Sequence, residues 1–461
     1  MDLYLMSEMP AFSTTVVILI LMSIYGGGAA PWERDRVGKL PGQPAAGELP
    51  FSHFSGYVEL PAAGTMIPPR HIFYYFIQHD NSSQPAAEAR LVVWFSSGLF
   101  CSPIGYGGML EVGPLRVQSD MTLVLNENSW HKEANILFVD LPTGVGFSYS
   151  ERITAEVISD EQVAKDAVAF LHRWAEKFPQ HREAELYLGG EGHGAHHPVR
   201  LAAQSMRDKA LLPPGMRLRG ILLGDPEMDL ESTFLGFVEY LSAKGMMSPA
   251  SRQKVLTTCI FNSTADCGMA MHLEAIALGM EVSAVIEPLC SPSTHPTSKF
   301  LWFDPCSVNY LQEYLNLPTV QTALHANHSH RLPGPWKICS KNLRQGQLPP
   351  GSDKPNWITD TMRELAETGE KLKIAIYHGD ENTRPPVTAT RYGLGRVFNL
   401  TEPAVFGPWK DSNGEVGGYT SVYLGRKNNV TFSTVRGSGD HSGSYQPVRA
   451  MDLFRRFLRD P

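Results

Sequence analysis

The sequence lacks most of the marks of a redox, metal or nucleic-acid protein. None of its six cysteines stands in a Cys-x-x-Cys pair, which excludes a zinc ribbon or a dithiol redox motif. It has no His-Glu-x-x-His, so the common zinc-peptidase helix is absent too. Basic charge is in deficit, with 40 Lys and Arg against 47 Asp and Glu and a net charge of −7. Without a basic footprint, nucleic acid is not an expected partner. After the first 25 residues no apolar run approaches the ~20 residues of a spanning helix, so no membrane span is expected.

What is there suits a large α/β protein. The chain has 461 residues, 43% of them hydrophobic, and its 41 Gly and 34 Pro are dispersed. Such a length can bury a sizeable core in one large domain or a few smaller ones. Phe12 to Tyr25 is apolar and uncharged and runs into Gly26-Gly27-Gly28-Ala29-Ala30. This is the pattern of a signal peptide, a short apolar stretch followed by small residues, so residues 1–30 are expected to be removed. Five Asn-x-Ser/Thr sequons at Asn81, Asn262, Asn327, Asn399 and Asn429 are candidate glycosylation sites. An even number of cysteines (Cys101, Cys259, Cys267, Cys290, Cys306 and Cys339) fits disulfides in an oxidising compartment.

Short apolar runs read as buried strands at Ile72–Ile77, Leu91–Phe95, Ile136–Leu141, Leu186–Leu188, Ile221–Leu223, Ile374–Tyr377 and Val430–Val435. Between two of them Asp160 precedes a helical pattern to about Lys177, with Val163, Ala167, Phe170, Leu171 and Trp174 at helical spacing. Strand–helix alternation predicts a doubly wound, mostly parallel sheet. Residues 230–345 break the rhythm and hold five of the six cysteines. They are expected to form an inserted helical subdomain stapled by disulfides, dividing the core into residues 31–229 and 346–461.

The strand at Leu186–Leu188 leads into Gly189-Gly190-Glu191-Gly192-His193-Gly194. A glycine-flanked turn from strand to helix is the setting of the nucleophile elbow Gly-x-Ser-x-Gly. The flanks survive as Gly190 and Gly194, but the centre is Gly192, which has no hydroxyl.

Several ordered segments together resemble the serine carboxypeptidase family. Ser55-Gly56-Tyr57-Val58 is similar to its opening strand, and Trp94 to Ser102 sits where the family has Trp-Leu-Asn-Gly-Gly-Pro-Gly-Cys-Ser. Glu111-Val112-Gly113-Pro114 matches its Glu-x-Gly-Pro, and Asn128-Ser129-Trp130 and Pro142-Thr143-Gly144-Val145-Gly146-Phe147-Ser148 give the closest wording. Tyr314-Leu315-Asn316, Ala323-Leu324-His325 and Gln446-Pro447 continue the match to the end of the chain. The wording is nearest the fungal pheromone-processing branch, whose C-terminal anchor has no counterpart here.

The resemblance implies an α/β-hydrolase fold with a helical insertion and a Ser, Asp, His triad in that chain order. Carried over residue by residue, the nucleophile is Gly192, the acid of Gly-Asp-x-Asp is Asn382 in Gly379-Asp380-Glu381-Asn382, and the base is Asp440, with His441 one residue late. Removing a serine-hydrolase triad costs roughly a million-fold in rate, so a displaced base at His441, assisted by Asp440 or Asp380, leaves no useful peptidase. The family's backbone oxyanion donors map to Gly98 and His193, beside Leu99 and Phe100 where the family has Pro-Gly. Its grip on the substrate C-terminus maps to Trp94, Ser96 and Ser97 (in place of Asn-Gly), Glu111 and Glu191. Two neighbouring carboxyls raise one pKa, so one stays protonated and can donate to an anion in acid.

The family cysteine at Cys101 implies a bond to Cys339. Four cysteines remain, with several connectivities open; Cys259–Cys267 with Cys290–Cys306 closes the shortest loops. His193 and His197 have the spacing of two metal ligands on one helix face, with Glu191, Asp440 and His441 near its start. The family has His at the position of His196 and an aromatic at that of His197, on a helix that leads away from the pocket, so no metal and no cofactor are expected. His325 reads as structural and Asp140 as a loop-ordering residue. Asp225-Pro226 replaces a family Asn-Pro. The expectation is a secreted or vacuolar glycoprotein that has lost its chemistry and binds peptide C-termini or a protein partner. The alternative is an active carboxypeptidase or acyltransferase-like enzyme with a rebuilt site.

Overall fold

A run of alternating apolar residues explains the central strands. In β3 (Arg90–Ser97), Leu91, Val93 and Phe95 join the core on one face of the sheet, while Val92 and Trp94 join the core on the other. β5 (Glu185–Glu191) does the same with Leu186 and Leu188 against Tyr187. Side chains alternate across a strand, so a continuous apolar run marks a strand covered on both faces.

The computed structural model describes residues 30–44, 49–62, 68–79, 90–98, 100–150, 157–158, 160–259, 279, 281–291, 303–326, 332, 334–341, 343–345 and 358–459. The signal-peptide segment, Asn81, Asn262, Asn327, Leu99, Cys267 and the side chains of Ser96, Ser97 and Cys259 lie outside the described residues. The pairing expected between Cys259 and Cys267 lies outside them as well.

The strands are β1 (His53–Leu60), β2 (Arg70–Ile77), β3, β4 (Asn135–Val139), β5, β6 (Arg217–Gly224), β7 (Lys373–Gly379), β8 (Val405–Lys410), β9 (Val416–Tyr423) and β10 (Val430–Val435). They lie in the order β1-β2-β4-β3-β5-β6-β7-β10-β9-β8, with a short strand at Tyr149–Ser150 beside β2. Pairing is parallel from β4 through β3, β5, β6 and β7 to β10. It is antiparallel at both edges. The sheet is therefore the α/β-hydrolase arrangement.

Helices cover both faces. α1 (Asp160–Lys177) and α2 (His196–Arg207) pack on one side, and α1 buries Val163, Ala167, Phe170, Leu171 and Trp174 as their spacing requires. The C-terminal helix Pro447–Arg459 lies on the other side through Met451, Phe454 and Phe457. Between β6 and β7 the chain forms helices at Leu230–Ala243, Pro249–Cys259, Ser307–Leu315 and Pro318–Ala323. A disulfide joins Cys290 to Cys306 within this segment, and Cys101–Cys339 ties it to the turn after β3. Among the described residues, no helix is long and apolar enough to cross a membrane.

The edge strand β8 and its neighbour β9 have no counterpart among the sequence-derived strands. Pro408 interrupts the pattern of β8, as suits the edge of a sheet, where a missing N–H is tolerated, and a Gly417-Gly418 pair interrupts that of β9. His325 Nδ1 donates to the Ser55 carbonyl (3.0 Å), and Asp140 takes bonds from Ser102 Oγ (2.6 Å) and the Phe147 N–H (2.9 Å). Both keep the structural roles their sequence context suggested.

Candidate functional site

The carboxyl ends of β3, β5, β6, β7 and β10 bring Gly98, Glu191, Gly224, Gly379 and the turn after Val435 to one edge of the sheet. Ligand sites of open α/β sheets form there. The pairing of β3 with β5 shifts register between Trp94 and Ser97, next to this edge, and such irregularities re-aim side chains at sites.

At the elbow, sterics account for the flanks. A Cβ on Gly190 would lie 2.5 Å from the Gly194 carbonyl oxygen, so only glycine fits. Gly192 differs. It sits at φ 55°, the left-handed turn conformation, yet a Cβ there would meet only the Gly98 Cα, at 3.8 Å. The elbow keeps its strained shape and the space before its central residue, without a hydroxyl to present. The Gly192 carbonyl accepts the Glu227 N–H at 3.3 Å. Gly98, at φ 145°, is held beside Cys101 of the Cys101–Cys339 bond. Trp94 is fully buried and meets Trp130 edge-on at 5.2 Å, so it braces the wall behind the elbow.

The two positions that the resemblance gives to the acid and the base face different partners. Asn382 Nδ2 donates to Asp225 Oδ1 at 2.9 Å, and the Arg384 N–H donates to Asn382 Oδ1 at 2.6 Å. The family resemblance places Asn at 225 and Asp at 382, so amide and carboxyl have exchanged sides of one hydrogen bond. Burial raises the Asp225 carboxyl well above the usual range, against the bonds from Asn382 and the Gly379 N–H.

His441 sits in an acidic cluster. Its Nδ1 lies 3.1 Å from Glu111 Oε1 and 3.4 Å from Glu191 Oε2, and its Nε2 lies 3.5 Å from Asp440 Oδ1. Tyr106 stacks on its ring at 4.2 Å and 23°, and Tyr377 donates to Glu191 Oε1. Glu111 ends a π-helical segment, Ile104–Glu111, a distortion found often at functional sites. Burial, then the charge of Glu191, pushes the Glu111 carboxyl up to about 8, against His441. Burial disfavours the His441 imidazolium, but Asp440 and Glu111 outweigh it and hold its pKa well above the ordinary value.

A second cluster lies on the other side of the elbow. His193 Nε2 is 3.6 Å and His196 Nδ1 3.5 Å from the Asp160 carboxylate, and Arg200 Nε is 3.4 Å from it. His193 Nδ1 also reaches Glu227 at 3.5 Å. Burial opposes charge on His193, but Asp160 and Glu227 raise its pKa to about 9. Of the histidines that sequence spacing puts near one another, His193 and His196 meet the same carboxylate, and His197 does not join them. Gly192–Ala195 is a 3-10 turn, which places i and i+3 on one line. His197 turns instead to Phe95, and burial lowers its pKa to about 3.

Sequence reasoning had singled out Glu111, Glu191, Asp440 and His441, and the structure brings them together. It had treated Asp160 only as a helix start, and Tyr106 and Tyr377 not at all. The Asp225 substitution was the one signal that pointed to a partner of Asn382.

The profile of the family described as "Serine carboxypeptidase" matches residues 41–460. Serine carboxypeptidase-like 22 of Arabidopsis thaliana is 36% identical over 449 residues, covering 92% of each chain. Serine carboxypeptidase 24 of the same plant is 33% identical over 454 residues, again with 92% of each chain covered. Among solved structures, Kex1(delta)p, a prohormone-processing carboxypeptidase from Saccharomyces cerevisiae, superposes with a TM-score of 0.73 at 19% identity, covering 93% of this chain and 96% of that one. At that identity the likeness is one of fold.

Proposed function

The chain belongs to the serine carboxypeptidase family, and from that premise we propose that it holds peptide C-termini in the inherited cleft without cleaving them. One observation carries the reading: the elbow keeps its left-handed turn and open space while its central residue is Gly192. Without a nucleophile no acyl-enzyme forms, and with Asn382 and Asp440 in place of acid and base no imidazole is oriented toward the elbow. Recognition needs less. The backbone N–H groups of Gly98 and His193 are suited to an anion, and the Glu111 carboxyl, raised by burial, is a hydrogen-bond donor in mild acid. The same reading makes the protein a secreted or vacuolar glycoprotein. Of the sequons, Asn399 and Asn429 are exposed on the surface.

The test is binding of a labelled peptide with a free C-terminus, read by fluorescence anisotropy in mildly acidic buffer, beside the same peptide amidated. Binding of the free acid alone, weakened at least ~10-fold by Glu191→Ala, is the expected result. Equal binding of both peptides, or of neither, would overturn the reading.

A further inference from the structure

We infer that Glu111, Glu191 and His441 form a binding site for one divalent transition-metal ion of the zinc class. The inference goes beyond the peptide-binding reading and does not rest on it.

The donor atoms are already at ligand spacing. His441 Nδ1 lies 3.1 Å from Glu111 Oε1 and 3.4 Å from Glu191 Oε2, and one donor atom from each residue falls within 4.8 Å of the others. A tetrahedral ion with bonds of about 2.0–2.1 Å holds its ligand atoms about 3.3 Å apart. Two carboxylate oxygens and one imidazole nitrogen form a donor set that suits such an ion. Three protein ligands leave one position for water or a ligand, as in zinc sites that exchange.

The groups behind the donors are those a metal site needs. A metal-bound histidine gives its other ring N–H to a carboxylate in most sites, which fixes the tautomer and the ring. Here Nε2 faces Asp440 Oδ1 at 3.5 Å, so once an incoming ion displaces the Nδ1 proton that the glutamates now hold, Asp440 is placed to keep the proton on Nε2. Tyr106 fixes the plane of the ring by stacking on it. Tyr377 bonds to Glu191 through Oε1, leaving Oε2 as the atom that faces His441. A Cβ on Gly224 would lie 2.5 Å from both Glu191 Cγ and Tyr377 Oη, so that glycine is what lets the pair meet.

Charge points the same way. Metal binding releases the protons of its ligands, and the two carboxylates and neutral imidazole that result balance a dication. Asp440 adds a further carboxyl beside the ring. The other histidine–carboxylate cluster is the control. There Arg200 lies 3.4 Å from Asp160 Oδ2 and already supplies the positive charge. The site is also reachable, since His441 keeps 11% and Asp440 21% of the side chain exposed.

The test is titration of the untagged, chelator-stripped full chain with zinc ion in the absence of peptide, read by calorimetry. One ion per chain is expected. His441→Ala and Glu111→Gln should remove binding, Asp440→Asn should weaken it ~10–100-fold, and Asp160→Asn should leave it unchanged. Zinc-edge X-ray absorption of the wild type reads the site without any variant, and a shell of oxygen with one imidazole is expected. No binding by the wild type, binding that survives His441→Ala, or a shell with more than one imidazole would overturn the inference.

Discussion

Two buried clusters of histidine and carboxylate flank Gly192, and they are built from the same residue types to opposite effect. On one side Asp160 and Glu227 face a charged His193, and Asp160 also meets Arg200, so two carboxylates are matched by two cationic groups while burial keeps His196 neutral. On the other side three carboxyls, those of Glu111, Glu191 and Asp440, surround the one imidazole of His441. The first cluster is electrically complete and locks the elbow turn to helix α1. The second crowds three carboxyls around one imidazole, which favours taking up protons, a cation or a donor on a ligand. Charge closure, more than residue identity, separates a structural cluster from one that faces a ligand.

The largest effect is expected from making the acidic side catalytic again. Gly192→Ser, Asn382→Asp and Asp440→His restore the three family residues, but Asp225 would then face a carboxylate at the 2.9 Å distance it now keeps from Asn382 Nδ2. Adding Asp225→Asn removes that clash of charge. The fourfold variant is expected to release C-terminal residues up to ~10⁶-fold faster than the wild type, and the threefold one far less. Equal rates from both, read with a chromogenic peptide, would mean the Asp225–Asn382 exchange is incidental.

Next in size is the closed cluster. Asp160→Ala leaves two histidines and Arg200 without their buried anion, and breaking a buried pair in this way costs about 3–5 kcal/mol. Urea denaturation should show it as a lower midpoint. Burial works to raise the Asp160 pKa, but His193 and His196 outweigh it and hold the carboxyl well below its usual range. Its stabilisation is therefore present above the unfolded value near ~3.9 and lost as pH falls further. Asp160→Asn should flatten that acid limb, and a limb that persists would assign it to other groups.

The smallest effect, and the one of opposite sign, belongs to the open cluster. With chelator present, Glu111→Gln is expected to change stability by about 1 kcal/mol or less, because it also removes a like-charge contact with Glu191. The Glu111 carboxyl is raised to about 8, by burial first and then by Glu191. Its contribution is thus full below the unfolded value near ~4.3 and is lost as pH rises toward 8. Thermal melts across that window should slope downward in the wild type and less so in Glu111→Gln. The same slope in both would remove the distinction between the clusters.

Most of the sheet was legible in the sequence because its strands are buried on both faces and read as unbroken apolar runs. β8 and β9 were not, because Pro408 breaks the pattern of the edge strand β8 and Gly417 and Gly418 that of β9 beside it. In the site, Gly192, Asn382 and Asp440 were visible as departures from an ordered motif. The seating of His441 on Glu111 and Glu191 was not, since a one-residue shift in a turn sets direction and sequence spacing does not carry direction. Asp160 stayed hidden for a related reason. Its helix-start context explains the residue locally, while its partners come from the elbow turn more than thirty residues later.

The central claim, retention without cleavage, is tested most directly by mass spectrometry of free amino acids released from a mixed peptide library by the purified protein in mildly acidic buffer, beside Glu191→Ala and His441→Ala. The account predicts no release above the variants, with peptides still retained by the wild type. Release by the wild type that disappears in the variants would contradict it and identify a working, rebuilt site.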